Sequence, residues 1–217
     1  ACVFVQGEPY YLKQAFNDRK MPEILTPIID FQEHVDSTKE EFVKIAANIG
    51  ADKSEAKKAF DFALEKMMTC YNKGLEIGKK TIEELEKNKN EFAMVLIGRW
   101  YNALAKEANM SIPHKFASRG ITIIPYDFIP FSFQNLGLHM HWGIGKINLQ
   151  VSKFIKNHPQ LFGVYVTNFS CGPDSFIVPY FRDEMGRKPS LTLELDSHTA
   201  DVGLNTRIEA AIDIIAY

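Results

Sequence analysis

The chain has 217 residues, of which 46% are hydrophobic, 24% charged and 12% aromatic, a composition that excludes a disordered or collagen-like protein. Its 25 Lys and Arg against 27 Asp and Glu leave a formal net charge of −2, too little positive charge for a general nucleic-acid binder. No run of 18 apolar residues and no signal-peptide pattern occurs, so the expectation is a cytoplasmic chain with no membrane span.

The length suits one large domain or two small ones, and a chain of this size buries about 70% of its unfolded surface without disulfide staples. The three cysteines, Cys2, Cys70 and Cys171, are too few and too odd in number for a secreted disulfide framework. The chain opens on Ala1-Cys2-Val3-Phe4-Val5 with no initiating Met. This start reads as a piece cut from something longer, with residues 1–36 completing an upstream domain. Cys2 ahead of Val-Phe-Val also reads as strand core.

Charge then divides the rest. From Ser37 to Glu91, 22 of 55 residues are Asp, Glu, Lys or Arg, whereas from Gly120 to Tyr180 only 5 of 61 are. The first stretch reads as surface helices, a helical arm over 37–90, and the second as buried strands of an α/β domain over 91–217. Thr38-Lys39-Glu40-Glu41 is a capping-box pattern that opens a short helix with Phe42, Ile45, Ala46 and Ile49 on one face, closed by Gly50. Ser54 is the expected cap of a longer helix. Phe60, Ala63, Leu64, Met67, Tyr71, Gly74, Leu75, Gly78, Ile82 and Leu85 recur along it at i, i+3, i+4 spacing. Cys70 lies close to that apolar stripe and is expected in the core. Gly74 and Gly78 weaken the helix, so they mark a close crossing or a bend.

After Asn90 strands and helices alternate. Phe92–Ile97 is a continuous apolar run ending at Gly98, as in a buried parallel strand. A helical segment over Ile112–Arg119 leads to a second strand, Ile121–Ile124. An amphipathic helix over Leu138–Asn157 leads to a third, Gly163–Thr167. Ser190–Leu195 is a fourth, and Thr206–Ala216 a terminal helix. The alternation implies βαβ units, hence a three-layer, Rossmann-like parallel sheet with helices on both faces, preceded by an N-terminal helical segment.

Ligands of open α/β sheets sit outside the carboxyl ends of the strands. Those ends carry Gly98-Arg99-Trp100-Tyr101-Asn102, Pro125-Tyr126-Asp127-Phe128, Asn168 to Ser175, and Asp196-Ser197-His198-Thr199-Ala200-Asp201. Cys171 stands at a strand-to-helix turn, with Gly172 for close backbone approach and Pro173 at the first helical positions. A thiolate there meets backbone N–H groups and the helix dipole, which lower its pKa. Two chemistries use such a thiolate: ligation of a metal or cluster, and nucleophilic catalysis with His198 as base and Asp196 or Asp201 as orienter. No Gly-x-x-x-x-Gly-Lys-Ser/Thr and no Gly-x-Gly-x-x-Gly after a strand is present, so no standard loop for ATP or a dinucleotide is expected. His139 and His141 are two residues apart and share no helix face, and Gly143-Ile144-Gly145 reads as helix packing.

Five blocks resemble a known family. Val95-Leu96-Ile97-Gly98-Arg99-Trp100-Tyr101-Asn102 with Asn109-Met110-Ser111-Ile112-Pro113 is similar to its Gly-Arg-Pro-Tyr-Asn signature. Ile123 to Asp127, Asn168 to Phe176, and Leu193 to Asp201 continue the likeness, extended by Gly203 and Thr206 to Ala210. The family is that of the 2-hydroxyacyl-CoA dehydratase-like domains attached to large CoA-substrate-specific enzyme activases, and the likeness spans nearly the whole chain as their C-terminal portion. Trp100 departs from it, standing where the family has Pro.

The resemblance implies an iron–sulfur protein of anaerobic metabolism. It implies a [4Fe–4S] cluster between Rossmann-like domains and an ATP-hydrolysing activator that delivers a low-potential electron. Cys2 and Cys171 match family cysteines and would be the iron ligands, with Gly172, Asp174 and Ser175 beside them; Cys70 matches none. A further family cysteine belongs upstream of Ala1, and two cysteines do not complete a cluster, so the isolated piece is expected without one. Arg99, Tyr101, Asn102, Asp127 and Arg207 are the implied substrate-loop residues. The implied partners are the upstream ATPase part of the same protein and an acyl-CoA substrate or the enzyme that uses it. The alternatives are a cysteine-nucleophile hydrolase built on Cys171, His198 and Asp196, and a non-catalytic module whose helical arm docks a partner.

Overall fold

A computed structural model describes residues 3–30, 35–131, 140 and 142–217. The chain divides into two compact units, Ala1–Asn72 and Lys73–Tyr217. Cys2, His139 and His141 lie outside the described residues.

The first unit is helical. Helix α1 spans Val3–Ala15 and buries none of its residues, so Val3-Phe4-Val5 is exposed helix and not strand core. Helix α2 spans Lys39–Asn48 and α3 spans Lys53–Lys87. Thr38 precedes α2 as expected, but its hydroxyl donates to the carbonyl of Val35 at 2.6 Å and caps no helical N–H. The cap of α3 is Asp52, not Ser54. Asp52 Oδ1 accepts the N–H groups of Ser54 at 2.8 Å and Glu55 at 3.1 Å, because an aspartate two positions earlier reaches the orphan donors of the first turn. Within this unit Lys39–Asp61 and Lys57–Glu40 ion pairs tie α2 to α3, and Phe42 packs on Phe60 at 5.5 Å between ring centroids. An apolar groove of about 580 Å³ runs between the two helices, floored by Phe42, Ala46, Phe60, Ala63 and Met67. Cys70 is exposed, correcting the core expectation. Helical spacing placed it near an apolar stripe, and that stripe has no cover there among the described residues.

The second unit contains a four-stranded, all-parallel sheet: β1 Ala93–Gly98, β2 Thr122–Pro125, β3 Leu161–Asn168 and β4 Ser190–Leu195. Their order is β2-β1-β3-β4. The register pairs Ala93 with Thr122 on one side of β1 and with Leu161 on the other. Helices α4 Ile112–Ala117, α5 Gly143–Asn157, α6 Gly172–Met185 and α7 Asp201–Ala216 complete the unit.

Alternation along the strands sorts the core into two layers. Ala93, Val95 and Ile97 face α3, α5 and α6 through Ile82, Leu85, Leu149, Ile155, Ile177 and Phe181. Met94 and Leu96 face α4 and α7 through Ile112, Phe116, Leu204 and Ile208. Every residue of β1 is buried, which is why that strand reads as an unbroken apolar run. The fold is therefore the expected three-layer α/β sandwich.

Two glycines are required by close approach. A Cβ on Gly78 would sit 1.9 Å from the carbonyl oxygen of Phe128, so the expected crossing on α3 is with the turn after β2. Gly98 ends β1 at φ +147°, where a Cβ would lie 2.4 Å from the Val166 carbonyl oxygen of β3. At the far ends of the helices, side chains substitute for missing backbone partners. Gln160 Nε2 donates to the carbonyls of Leu85, Asn88 and Glu91 past the end of α3, and Lys188 Nζ to those of Ile155 and His158 at the end of α5.

Candidate functional site at the carboxyl ends of β1 and β3

Strand order β2-β1-β3-β4 reverses direction between β1 and β3, and their carboxyl ends form the topological switch point of the sheet. The backbone is unusual there. A π-type turn at Trp100–Leu104 follows β1, a form concentrated at functional sites. Ser170 takes φ +60° directly before Cys171, and Met110 and Ser111 take φ +49° and +57°, a conformation that costs non-glycine residues energy.

Cys171 is the N-cap residue of α6 and Asp174 is the third residue of that helix. Arg99 Nε donates to Asp174 Oδ1 at 3.0 Å across the switch point, with side chains only 11% and 2% exposed. Thr167 Oγ1 donates to Asp174 Oδ2 at 2.7 Å, and the Tyr165 hydroxyl approaches Oδ1 at 3.4 Å. Asn148 Nδ2 donates to the Tyr165 hydroxyl at 3.2 Å from α5. The buried carboxylate thus has donors from the β1 loop and from β3, so its charge is compensated inside the protein. Burial pulls the Arg99 guanidinium pKa down, but the charge of Asp174 and its hydrogen bond outweigh that and hold it above its usual value.

The Cys171 thiol is pushed up, not down. Burial is the largest cause; the Asp174 backbone N–H and the Arg99 charge pull the other way, and the Asp174 carboxylate adds to the rise. The helix N-terminus is therefore present, but desolvation and a neighbouring carboxylate overcome it. A cavity of about 200 Å³ opens beside the thiol, with Thr167, Asp174, Ser175, Arg182 and Glu194 on its walls. Ser175 Oγ donates to the Cys171 carbonyl at 2.8 Å, and a Cβ on Gly172 would meet open space.

The other expected site residues are placed variously. Tyr101 lies beneath the Arg99 guanidinium at 5.9 Å from its ring centroid, and burial raises its pKa. Asn102 is buried with Oδ1 unpartnered. Asp127 lies on the turn after β2, its Oδ1 also unpartnered, and burial raises its pKa. Arg207 is not at this edge: its Nη2 donates to the Thr192 carbonyl in the middle of β4 at 2.6 Å. Asp196 accepts from the Thr199 hydroxyl at 2.8 Å and from the His198 backbone N–H at 2.9 Å, which lower its pKa. Asp201 pairs with Lys115 at 2.6 Å, which lowers its pKa. Among the described residues no hydrogen bond joins Cys171 to His198, and Asp196 holds the His198 backbone N–H rather than its ring.

A family model described as the CoA enzyme activase uncharacterised domain matches residues 1–129. The chain belongs to this family. No curated protein and no solved structure matches it. In this CoA enzyme activase domain the matched span holds the first unit, β1, the Gly98–Asn102 loop and β2, while Cys171 and Asp174 lie beyond it. Among the described residues of the domain, no group of three or more His, Cys, Asp or Glu is placed to hold a metal ion, and no helix is long and apolar enough to cross a membrane.

Tyr165, Thr167 and Asn148 were not among the expected site residues. Their signal was nonetheless present. Tyr165 and Thr167 are two apart on one face of a strand that is otherwise apolar, and Asn148 and Ser152 are four apart on one face of a helix. Polar groups on inward faces are retained where they bond one another.

Proposed function

We propose that this CoA enzyme activase domain is part of an ATP-dependent iron–sulfur reductase or activase system akin to the 2-hydroxyacyl-CoA dehydratases. In this reading Cys171 is one iron ligand of a [4Fe–4S]-type cluster, and Cys2 another. ATP is handled by an upstream part of the same protein, and the electron is delivered to an acyl-CoA substrate or to the enzyme that uses it. The observation that carries the reading is the thiol of Cys171 at the switch point of the sheet, with a guanidinium held beside it.

The donor chemistry fits one corner of a cluster. A thiolate is the ordinary ligand, and Arg99 opposes the negative charge that a cluster with its thiolates carries. The remaining thiolates have to come from outside the described residues. A bound cluster would supply low-potential, one-electron transfer. The chain's own residues would set its surroundings: Asp174 fixes Arg99, Thr167 and Tyr165 fix Asp174, and the first turn of α6 presents backbone N–H groups to sulfur. Such donors raise the reduction potential of a sulfur-ligated iron centre.

Anaerobic reconstitution with iron and sulfide tests the reading. Visible charge-transfer absorption and an electron paramagnetic resonance signal on reduction are expected, both much reduced by Cys171→Ser. Absorption that fails to develop, or that is untouched by the substitution, overturns it.

A further inference from the structure

We infer that Arg207 guards the free edge of the parallel sheet, and that β4 pairs with β4 of a second copy of this chain once the guard is removed. The inference is independent of the proposed cluster. Strand order leaves β2 and β4 at the two edges of the sheet. An edge strand offers unpaired N–H and C=O groups to any other strand, so native sheets blunt or cover their edges. On β2 this is done by length and proline: the strand has four residues and ends in Pro125, which has no N–H to offer. β4 has six residues, no proline and an unbroken register with β3 from Ser190 to Leu195.

Backbone groups of successive strand residues alternate in direction. The Leu195 carbonyl accepts from the Phe169 N–H, just beyond β3, at 2.8 Å, so the odd-numbered residues of β4 face β3. Ser190, Thr192 and Glu194 therefore turn their backbone groups to the free side. On that side Arg207 Nη2 donates to the Thr192 carbonyl, the middle of the three, at 2.6 Å. An arginine at this point opposes strand addition in two ways. It occupies the central acceptor of the edge, and it sets a charge where an incoming strand would lie. Its side chain also lines an apolar groove of about 280 Å³ between β4 and α7, with Leu191, Ala210, Ala211 and Ile214.

The occupant suited to this edge is its own copy. Antiparallel pairing about Thr192 sets the three outward residues against one another, Thr192 opposite Thr192 and Ser190 opposite Glu194. No like charges then meet, and threonine pairs are favourable across strands. On the α7 face the same register sets Leu191 opposite Leu193, beside the groove that loss of the arginine stem would widen. Two-fold pairing closes on itself and gives a dimer, not a fibre. A further strand of the same chain, reached from α7, is a poor rival. Because α7 packs on the α4 face, it could reach the outer side of β4 only by a left-handed crossover.

Sedimentation equilibrium of the 217-residue chain and its variants tests this. Arg207 is exposed, so Arg207→Ala leaves the core untouched. Its association constant should exceed that of the unaltered chain by at least about tenfold, the size of one charge-assisted hydrogen bond. The Thr192 N–H faces the free side, so Thr192→Pro removes no sheet bond but blocks strand addition. Made alone, Thr192→Pro should leave self-association unchanged; added to Arg207→Ala, it should cancel the gain. Both comparisons are blind to association through the exposed helices of the first unit. Amide exchange reads the same edge without proline: the N–H groups of Thr192 and Glu194 should gain protection with concentration in Arg207→Ala alone. An Arg207→Ala chain that associates no more than the unaltered one overturns the inference. So does a gain that Thr192→Pro leaves in place, or a loss of association from Thr192→Pro alone. Should the proline variants fail to fold, exchange decides: concentration-independent exchange in Arg207→Ala, or equal protection in the unaltered chain, overturns it.

Discussion

The two units use apolar residues in opposite ways. In Lys73–Tyr217 the central strands β1 and β3 are sealed on both faces, with Val95, Ile97, Phe116, Tyr165 and Phe181 wholly buried. In the described part of Ala1–Asn72 only Thr38 and Val43 are buried, while Phe4, Tyr10, Phe62 and Met67 stay exposed. Helices α2 and α3 have comparable amphipathic patterns to α5, so pattern alone does not bury a face. A face is buried only when a second layer is supplied, and the parallel sheet supplies it for the C-terminal turns of α3 and for α5, α6 and α7. The site follows the same division. Its buried ion pair is possible only in the sealed unit, where the loop after β1, strand β3 and helix α6 converge on Asp174.

Substitutions sharpen that contrast. The largest effect is expected from Phe116→Ala, which empties a fully buried position and should cost about 3–5 kcal/mol in urea unfolding. Phe62→Ala, at an exposed ring on α3, should change stability by no more than about 0.5 kcal/mol. Comparable losses from the two would erase the distinction between the units.

Asp174→Ala leaves Arg99 buried without its counter-charge and should also cost about 3–5 kcal/mol by the same measurement. The double variant Arg99→Gln with Asp174→Asn should recover much of that loss, because neither site then holds an uncompensated charge.

In the first unit effects are expected to be smaller. Asp52→Ala should cost about 1 kcal/mol and loosen amide-exchange protection in the first turn of α3, whereas Ser54→Ala should not. A larger response at Ser54 would restore the cap read from sequence.

The smallest effect is on pH dependence. The raised Cys171 pKa means that the folded state holds the thiol proton longer than the unfolded chain does. Stability from this group is therefore complete below the ordinary thiol value and is lost as pH rises through the raised one. Iodoacetamide alkylation of Cys171 should accordingly climb at a higher pH than for free cysteine. A midpoint at or below the ordinary thiol value would show that the helix N-terminus wins after all.

Much of the fold was legible because the sheet makes simple demands. Ser190–Leu195 is the strand the alternation predicts, and β1 differs from its expected span by one residue at each end. Helix α7 begins at Asp201 rather than Thr206 and runs through Gly203, since one glycine lowers helix propensity without ending a helix. The special residues at the strand ends were visible as a set, and Arg99, Cys171 and Asp174 do meet. His198 and Arg207 were both site candidates in sequence, yet Asp196 holds the backbone N–H of the first in a local turn, and the second donates to the Thr192 carbonyl of β4. The acidity of Cys171 was misread for a related reason: a helix N-terminus is a local feature, whereas desolvation depends on what the rest of the chain places around the sulfur.

The amino-acid sequence by itself determined the periodicities, and through them the parallel sheet, its two buried faces and the edge at which chemistry would gather. Only the tertiary structure decided which side chains share that edge. It sent Arg99 across the switch point to Asp174, added Tyr165, Thr167 and Asn148 to the network, and left Cys70 outside. The physical reason is range. Strand and helix periods are set by neighbours a few residues apart, while a buried charge is settled by partners as far as 75 residues away, which only the packed layers bring together.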